Sequence, residues 1–172
     1  LILESRPYWH NSPDLLSRIS FWADEGEHPL LQRRDEKKIE AVVITSDKGL
    51  CGSFNSNLLA KSFSFFEAKR KQAEVRLVLI GKKAVTFFKK KHPFAIDRAY
   101  LDKTDKLQPE DLKEIAQYVM RLYVFNKIDS VYVAYNEFKA ILAPRVTISK
   151  LLPFNLAAVS YTHLTLPTNR EV

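Results

Sequence analysis

Short runs of β-branched residues alternate along this chain with longer stretches in which apolar positions recur every three or four residues. Ile39–Ile44 and Val75–Ile80 have the pattern of strands buried on both faces of a parallel sheet. Asp129–Asn136 is a third such run. Phe94–Leu101 predicts an edge strand. Ala140–Leu152 predicts a returning strand, with Pro144 confining part of it to an edge or bulge. Between them lie three helical patterns. One runs from Ser53 or Asn55 to Lys71, with Leu58, Leu59, Phe65 and Phe66 inward. A short one follows Gly81, with Ala84, Val85, Phe87 and Phe88 inward. The third opens at Pro109 and carries Leu112, Ile115, Ala116, Val119, Leu122 and Tyr123 at helical spacing. Strands alternating with helices predict an α/β fold: a Rossmann-like, mostly parallel sheet flanked by helices.

The flanks follow other patterns. Ser12-Pro13 is a good helix start, and Leu15, Leu16, Ile19 and Trp22 form an apolar stripe that needs a partner. Asp24–Asp35, with Gly26 and Pro29, reads as a linker, and Tyr161–Val172 loses the periodicity. Residues 1–24 are therefore expected to form a helical arm, 25–36 a linker, 37–157 the α/β domain and 158–172 a tail outside it.

Composition narrows the chemistry. Apolar residues make up 46% of the 172, enough for a packed domain. No apolar run approaches the roughly 18 residues a membrane-spanning helix needs, and no signal peptide is visible in the residues present. A single cysteine, Cys51, leaves no internal disulfide and no metal-ligand cluster. The net charge of +7 points either to an acidic partner or to a solvated basic surface.

Functional loops of such sheets lie at the C-terminal ends of the strands. After the first strand comes Thr45-Ser46-Asp47-Lys48-Gly49-Leu50-Cys51-Gly52-Ser53-Phe54-Asn55, whose two glycines permit tight turns or close approach. It matches neither G-x-G-x-x-G nor G-x-x-x-x-G-K-[ST], so a phosphate cradle rests on loop position alone. A nucleophilic Cys51 would need a nearby base, and His10, His28, His92 and His163 are scattered; packing under the loop is the plainer role. Asp47 is either a metal ligand or base, or a turn or cap residue. Lys82, Lys83, Lys89, Lys90 and Lys91 suggest nucleic acid, but Phe87 and Phe88 fall on the inward stripe. A small nucleotide-binding α/β enzyme and a basic nucleic-acid-binding module both stay open on these residues.

The stretch Ile44–Leu58, ITSDKGLCGSFNSNL, resembles the ITSDRGLCGGFN motif of the γ subunit of rotary F-type ATP synthases, with Lys48 and Ser53 replacing the commoner arginine and glycine. Arg6-Pro7-Tyr8, His28-Pro29-Leu30-Leu31, Ile80-Gly81-Lys82-Lys83-Ala84 and Val133-Ala134-Tyr135-Asn136-Glu137-Phe138 resemble other family segments in the same order. The likeness runs from about Leu1 to Phe154. It implies a non-catalytic central-stalk rotor subunit, without cofactor or metal, that couples proton flow to ATP synthesis in other subunits. The implied partners are the α and β subunits, the ε subunit and the membrane c-ring, with no nucleic acid. The implied location is peripheral, on the cytoplasmic face of a bacterial inner membrane. Leu1–Trp22 becomes the remnant of a coiled-coil arm, here truncated. Asp47, Lys48, Gly49, Leu50, Cys51, Gly52 and Asn55 become candidate subunit contacts. Ala158–Val172 resembles translated sequencing adapter and is set apart as non-native.

Overall fold

The computed structural model describes residues 28–47, 53–91, 94–101, 108–138 and 144–154. The arm expected over 1–24, most of the loop after the first strand and the tail lie outside them. The chain divides into two compact units, 33–153 and a smaller one comprising 1–32 and 154–172. In the smaller unit, Pro29–Leu31 forms a 3-10 turn, and the Phe154 amide donates to the Leu30 carbonyl at 3.0 Å.

The larger unit is built on five strands among the described residues: β1 (Lys38–Ile44), β2 (Glu74–Ile80), β3 (Ala95–Tyr100), β4 (Ser130–Phe138) and β5 (Pro144–Leu152). They lie in the order β3-β2-β1-β4-β5. β1 pairs in parallel with β2 and β4, and β2 with β3, while β5 runs antiparallel to β4. The mostly parallel sheet expected from the alternation of patterns is the one that forms. Pro144 opens the outer strand β5, where a missing N–H is tolerated.

Side chains on successive strand residues point to opposite faces, so β1 feeds two cores. Ile39, Ala41 and Val43 join a layer with α1 (Ser53–Arg70) and α2 (Lys82–Lys91), whose Leu58, Leu59, Phe66, Ala84, Val85 and Phe88 are buried there. Aromatic rings fill this layer edge to face; Phe63 and Phe88 each lie 5.8 Å from Phe94 between centroids. Such pairs add to area burial because ring edges are positive and faces negative.

The other face is covered by α3 (Pro109–Val124) through Ile115, Val119 and Tyr123. Here the sequence reading needs correction, because Leu112 is 49% exposed and Ala116 is exposed as well. The buried stripe recurs every four residues, and Leu112 and Ala116 sit to one side of it. The helix starts at Pro109 as the sequence predicts, with Asp111 accepting from the Gln108 amide at 3.1 Å. It ends at Val124, and Asn126 just beyond takes the left-handed conformation (φ 56°), where the Lys127 amide reaches the Leu122 carbonyl at 2.8 Å.

Charged groups fix the segment that enters β1. The Arg34 guanidinium donates to the Tyr123 carbonyl at 2.9 Å and lies over the Tyr123 ring, so a cation sits at the negative end of α3. Asp129 accepts from the amides of Lys37 and Lys38 at 3.1 and 2.8 Å. Glu36 receives Lys69 of α1 at 2.7 Å, Lys150 of β5 at 2.5 Å and the Tyr132 hydroxyl of β4 at 2.8 Å. Partial burial alone would raise the Glu36 pKa, but the hydrogen bonds from Lys150, Lys69 and Tyr132 outweigh it and hold it at about 2.

Because the folded pKa lies below the ordinary 4.5, this tie stabilises the fold above pH 4.5 and is lost as pH falls through about 2. Both lysines are at least a third exposed, so solvent screening leaves about 1–2 kcal/mol of the nominal gain. Glu36→Gln should lose that amount in urea unfolding at pH 7 and match the unsubstituted chain below pH 2. Equal stability at pH 7 would mean the three-way tie contributes nothing.

Candidate functional site

The C-terminal ends of β1, β2 and β4 meet at one edge, where the chain leaves β1 for α1. The Thr45 amide continues the ladder by donating to the Ile80 carbonyl at 2.8 Å, and its hydroxyl donates to the same carbonyl at 3.2 Å. That hydroxyl oxygen also accepts from the Ala84 amide at 3.0 Å, inside the first turn of α2. Asp47 accepts from the Lys82 amide at 2.7 Å, the first residue of the same helix. Both side chains belong to the β1 loop, yet they satisfy orphan amide groups of a helix more than thirty residues later.

Gly81 makes this approach possible. Its φ is +97°, and a Cβ there would lie 2.2 Å from the Thr45 carbonyl oxygen. Only a residue without a side chain lets β2 turn into α2 against that carbonyl. On the other side of the loop, the Asn55 amide group donates to the Ser46 hydroxyl at 2.8 Å, and Asn55 Oδ1 accepts from the Ser46 amide at 3.3 Å. Asn136, near the end of β4, donates to the Phe54 carbonyl at 3.1 Å. Both stems of the loop are thereby anchored to neighbouring elements.

Of the candidate residues, Asp47 and Asn55 are brought together around Thr45 and Ser46. Lys48, Gly49, Leu50, Cys51 and Gly52 lie outside the described residues. Thr45, Gly81 and Asn136 are participants that the loop's sequence did not single out. A glycine directly after an apolar strand was a usable signal for Gly81; Thr45 and Asn136 lay within segments that carry the family likeness, but nothing in their spacing gave their hydrogen-bond partners.

This geometry bears on the chemistry of the edge. A helix N-terminus attracts anions, and in phosphate-binding sheets it receives the phosphate. At α2 that position holds the carboxylate of Asp47, which a phosphate would have to displace. Lys82, Lys83, Lys89 and Lys90 are exposed on α2, while Phe88 is buried and Phe87 packs against the core. The rings are therefore not interleaved with the lysines in a way that would stack bases. Among the described residues, no three histidine, cysteine or acidic side chains gather as metal ligands.

The family model described as ATP synthase matches residues 1–171. The chain belongs to the ATP synthase family. It is 34% identical over 152 residues to the ATP synthase gamma chain of Pelotomaculum thermopropionicum, covering 88% of this chain and 52% of that one. It is 35% identical over 156 residues to the gamma chain of Chlorobium phaeobacteroides, with the same coverage. The likeness read from Ile44–Leu58 is borne out. The chain spans about half the length of these relatives. A chain in the central stalk and c-ring structure of the Tetrahymena thermophila mitochondrial ATP synthase superposes with a TM-score of 0.65 at 23% identity. That match covers 83% of this chain and 60% of that one, and it shows a shared fold.

Two substitutions test the edge. Gly81→Ala should cost about 2 kcal/mol or more, because the new methyl meets backbone at a positive φ. Asp47→Ala should cost about 1 kcal/mol by uncapping α2. Urea midpoints read both, and a Gly81→Ala chain as stable as the original would refute the close-approach argument.

Proposed function

We propose that this chain is the globular foot of a γ-type central-stalk rotor subunit, non-catalytic and without cofactor, in a proton-translocating ATP synthase. It couples rotation driven by the membrane c-ring to ATP synthesis in the catalytic subunits. Its partners are the α and β subunits, the ε subunit and the c-ring. It is a peripheral, membrane-associated component, facing the cytoplasm from a bacterial inner membrane. Residues 1–24 belong to a shaft helix, 25–36 are its linker to the domain, and 158–172 lie outside the domain. Asp47, Lys48, Gly49, Leu50, Cys51, Gly52 and Asn55 form a loop that touches neighbouring subunits, held by the stems at Ser46–Asn55 and Asp47–Lys82.

The observation that carries this reading is the gamma-chain likeness over 88% of the chain. The way the chain enters and leaves the domain supports it: Glu36 and Lys150 are paired, so the start of β1 and the end of β5 lie at the same end of the sheet, with β4 between them. A domain inserted between two helices of one shaft needs such an arrangement. The Asp47 carboxylate at the α2 N-terminus speaks against the nucleotide-enzyme alternative.

The decisive experiment replaces the corresponding domain of the Pelotomaculum gamma chain with residues 33–153. The chimera is assembled with its partner subunits in liposomes under an imposed proton gradient. Expected is a complex that makes ATP; an assembled complex that hydrolyses ATP but cannot synthesise it would overturn the coupling role. In the same assembly Lys48→Glu should leave assembly intact and lower synthesis. Unchanged synthesis would reduce the loop to a connector.

A further inference from the structure

Glu40 occupies the third position of the central strand, and it is completely buried. It points to the α3 face, because its neighbours Ile39 and Ala41 join the opposite layer. Neither of its carboxyl oxygens has a hydrogen-bond donor among the described residues. Arg76, opposite Glu40 in register, holds a second carboxylate, Asp97 of β3, whose charge and hydrogen bonding raise the Glu40 pKa. Two ionised carboxylates cannot hydrogen-bond, since neither can donate.

No cation is hydrogen-bonded to Glu40 among the described residues. Arg76 of β2 is opposite it in register, but its guanidinium is bonded to Asp97, with Nη2 at 2.5 Å and Nε at 2.7 Å from Oδ1. From α3, the Tyr118 hydroxyl donates to Asp97 at 3.3 Å. Arg98 of β3 lies 4.0 Å from the centre of the Tyr118 ring and pairs with Glu114 at 2.9 Å. From β4, the residue opposite Glu40 is Val131. Lys38, two positions earlier on β1, is exposed. The register shift in β2–β3 skips Asp97 between the paired residues Ile96 and Arg98. Such an irregularity re-aims side chains, and both Asp97 and Arg98 reach α3. Arg76 also lies 3.8 Å from Glu74, so Glu40, Asp97 and Glu74 are set against its one guanidinium.

We infer that Glu40 keeps its proton in the folded domain, directed at Asp97, and that this proton lets α3 seat on the sheet. The protonated Glu40 faces the Asp97 carboxylate, which Arg76 and Tyr118 already hold. Releasing it leaves a buried negative charge with no donor, in contact with the helix that covers it. The device is independent of the rotor reading and would operate in any protein with this layer. Burial, reinforced by the Asp97 charge and only partly opposed by Arg76, pushes the Glu40 pKa up from 4.5 to about 8.

A raised folded pKa means that the folded state holds the proton more tightly than the unfolded one. The stabilisation is complete below pH 4.5 and is lost as pH rises through about 8. This window is separate from that of Glu36, whose contribution disappears in acid. The test is urea unfolding of the 172-residue chain at pH 5 to 9, with Glu40→Gln and Asp97→Asn in parallel. Expected is a folding constant that falls about tenfold per pH unit towards pH 8 and then levels. The slope should vanish in Glu40→Gln and shift to lower pH in Asp97→Asn, because the repelling charge is gone. A flat profile in the unsubstituted chain, or an unchanged slope in Glu40→Gln, overturns the inference. Infrared spectra of the unsubstituted chain at pH 7 provide a readout that does not depend on either variant folding: a protonated, buried carboxyl band is expected, and its absence also overturns the inference.

Discussion

Every strand of the sheet is registered, directly or through one neighbour, against seven residues of β1. A strand with partners on both edges and helices on both faces has no solvent side, so each of its side chains must suit one of two dry layers. Ile39, Ala41 and Val43 commit one face to α1 and α2, and Val42 commits the other to α3. A one-residue slip would exchange the two sets and drive Glu40 among the phenylalanines of the α1 layer. The register of β1 is therefore the constraint from which the positions of both helix layers follow.

Packing alone does not say how far β1 slides along its axis, and polar groups at its two ends do. Before the strand, Arg34, Glu36 and Asp129 tie the entering backbone to α3, α1, β4 and β5. After it, Thr45 and Asp47 cap α2, and Ser46 holds Asn55 of α1. These bonds are directional where hydrophobic contact is not, and most join residues far apart in sequence. A force applied at the segment entering β1 meets restrained groups at either end of the strand.

Much of this architecture was legible from periodicity. The strands at Ile39–Ile44, Val75–Ile80 and Asp129–Asn136 and the helix start at Pro109 carry local signals that the tertiary structure has no reason to override. The mispredicted positions fall where local pattern is silent. Leu112 and Ala116 fit helical spacing, but the side on which α3 meets the sheet is set by Ile115, Val119 and Tyr123, and the pattern allows either. Glu40 sits inside an apolar run that reads as buried, and it is buried; spacing says nothing of the carboxylate waiting on β3. In the candidate site, Asp47 and Asn55 were visible as loop residues because of their composition. That Asp47 would cap the helix at Lys82 was not, since a side chain capping a distant helix leaves no trace in sequence separation.

The antiparallel edge explains how such a domain can sit within a longer chain. Parallel strands all begin at one end of the sheet, so a chain that stopped at β4 would leave from the end opposite to the one where it entered. β5 reverses that direction, and Lys150 returns to Glu36 beside the start of β1. One reversal is enough, and a second would send the chain away again. An all-parallel sheet of the same size would separate its two connections by the full length of a strand, roughly 20 Å for six residues. Two neighbouring segments of a longer chain could not both join such a sheet without a long return loop. The mixed sheet removes that requirement with a single hairpin, so the feature that departs from a fully parallel fold is also the one that suits the domain to insertion between adjacent segments.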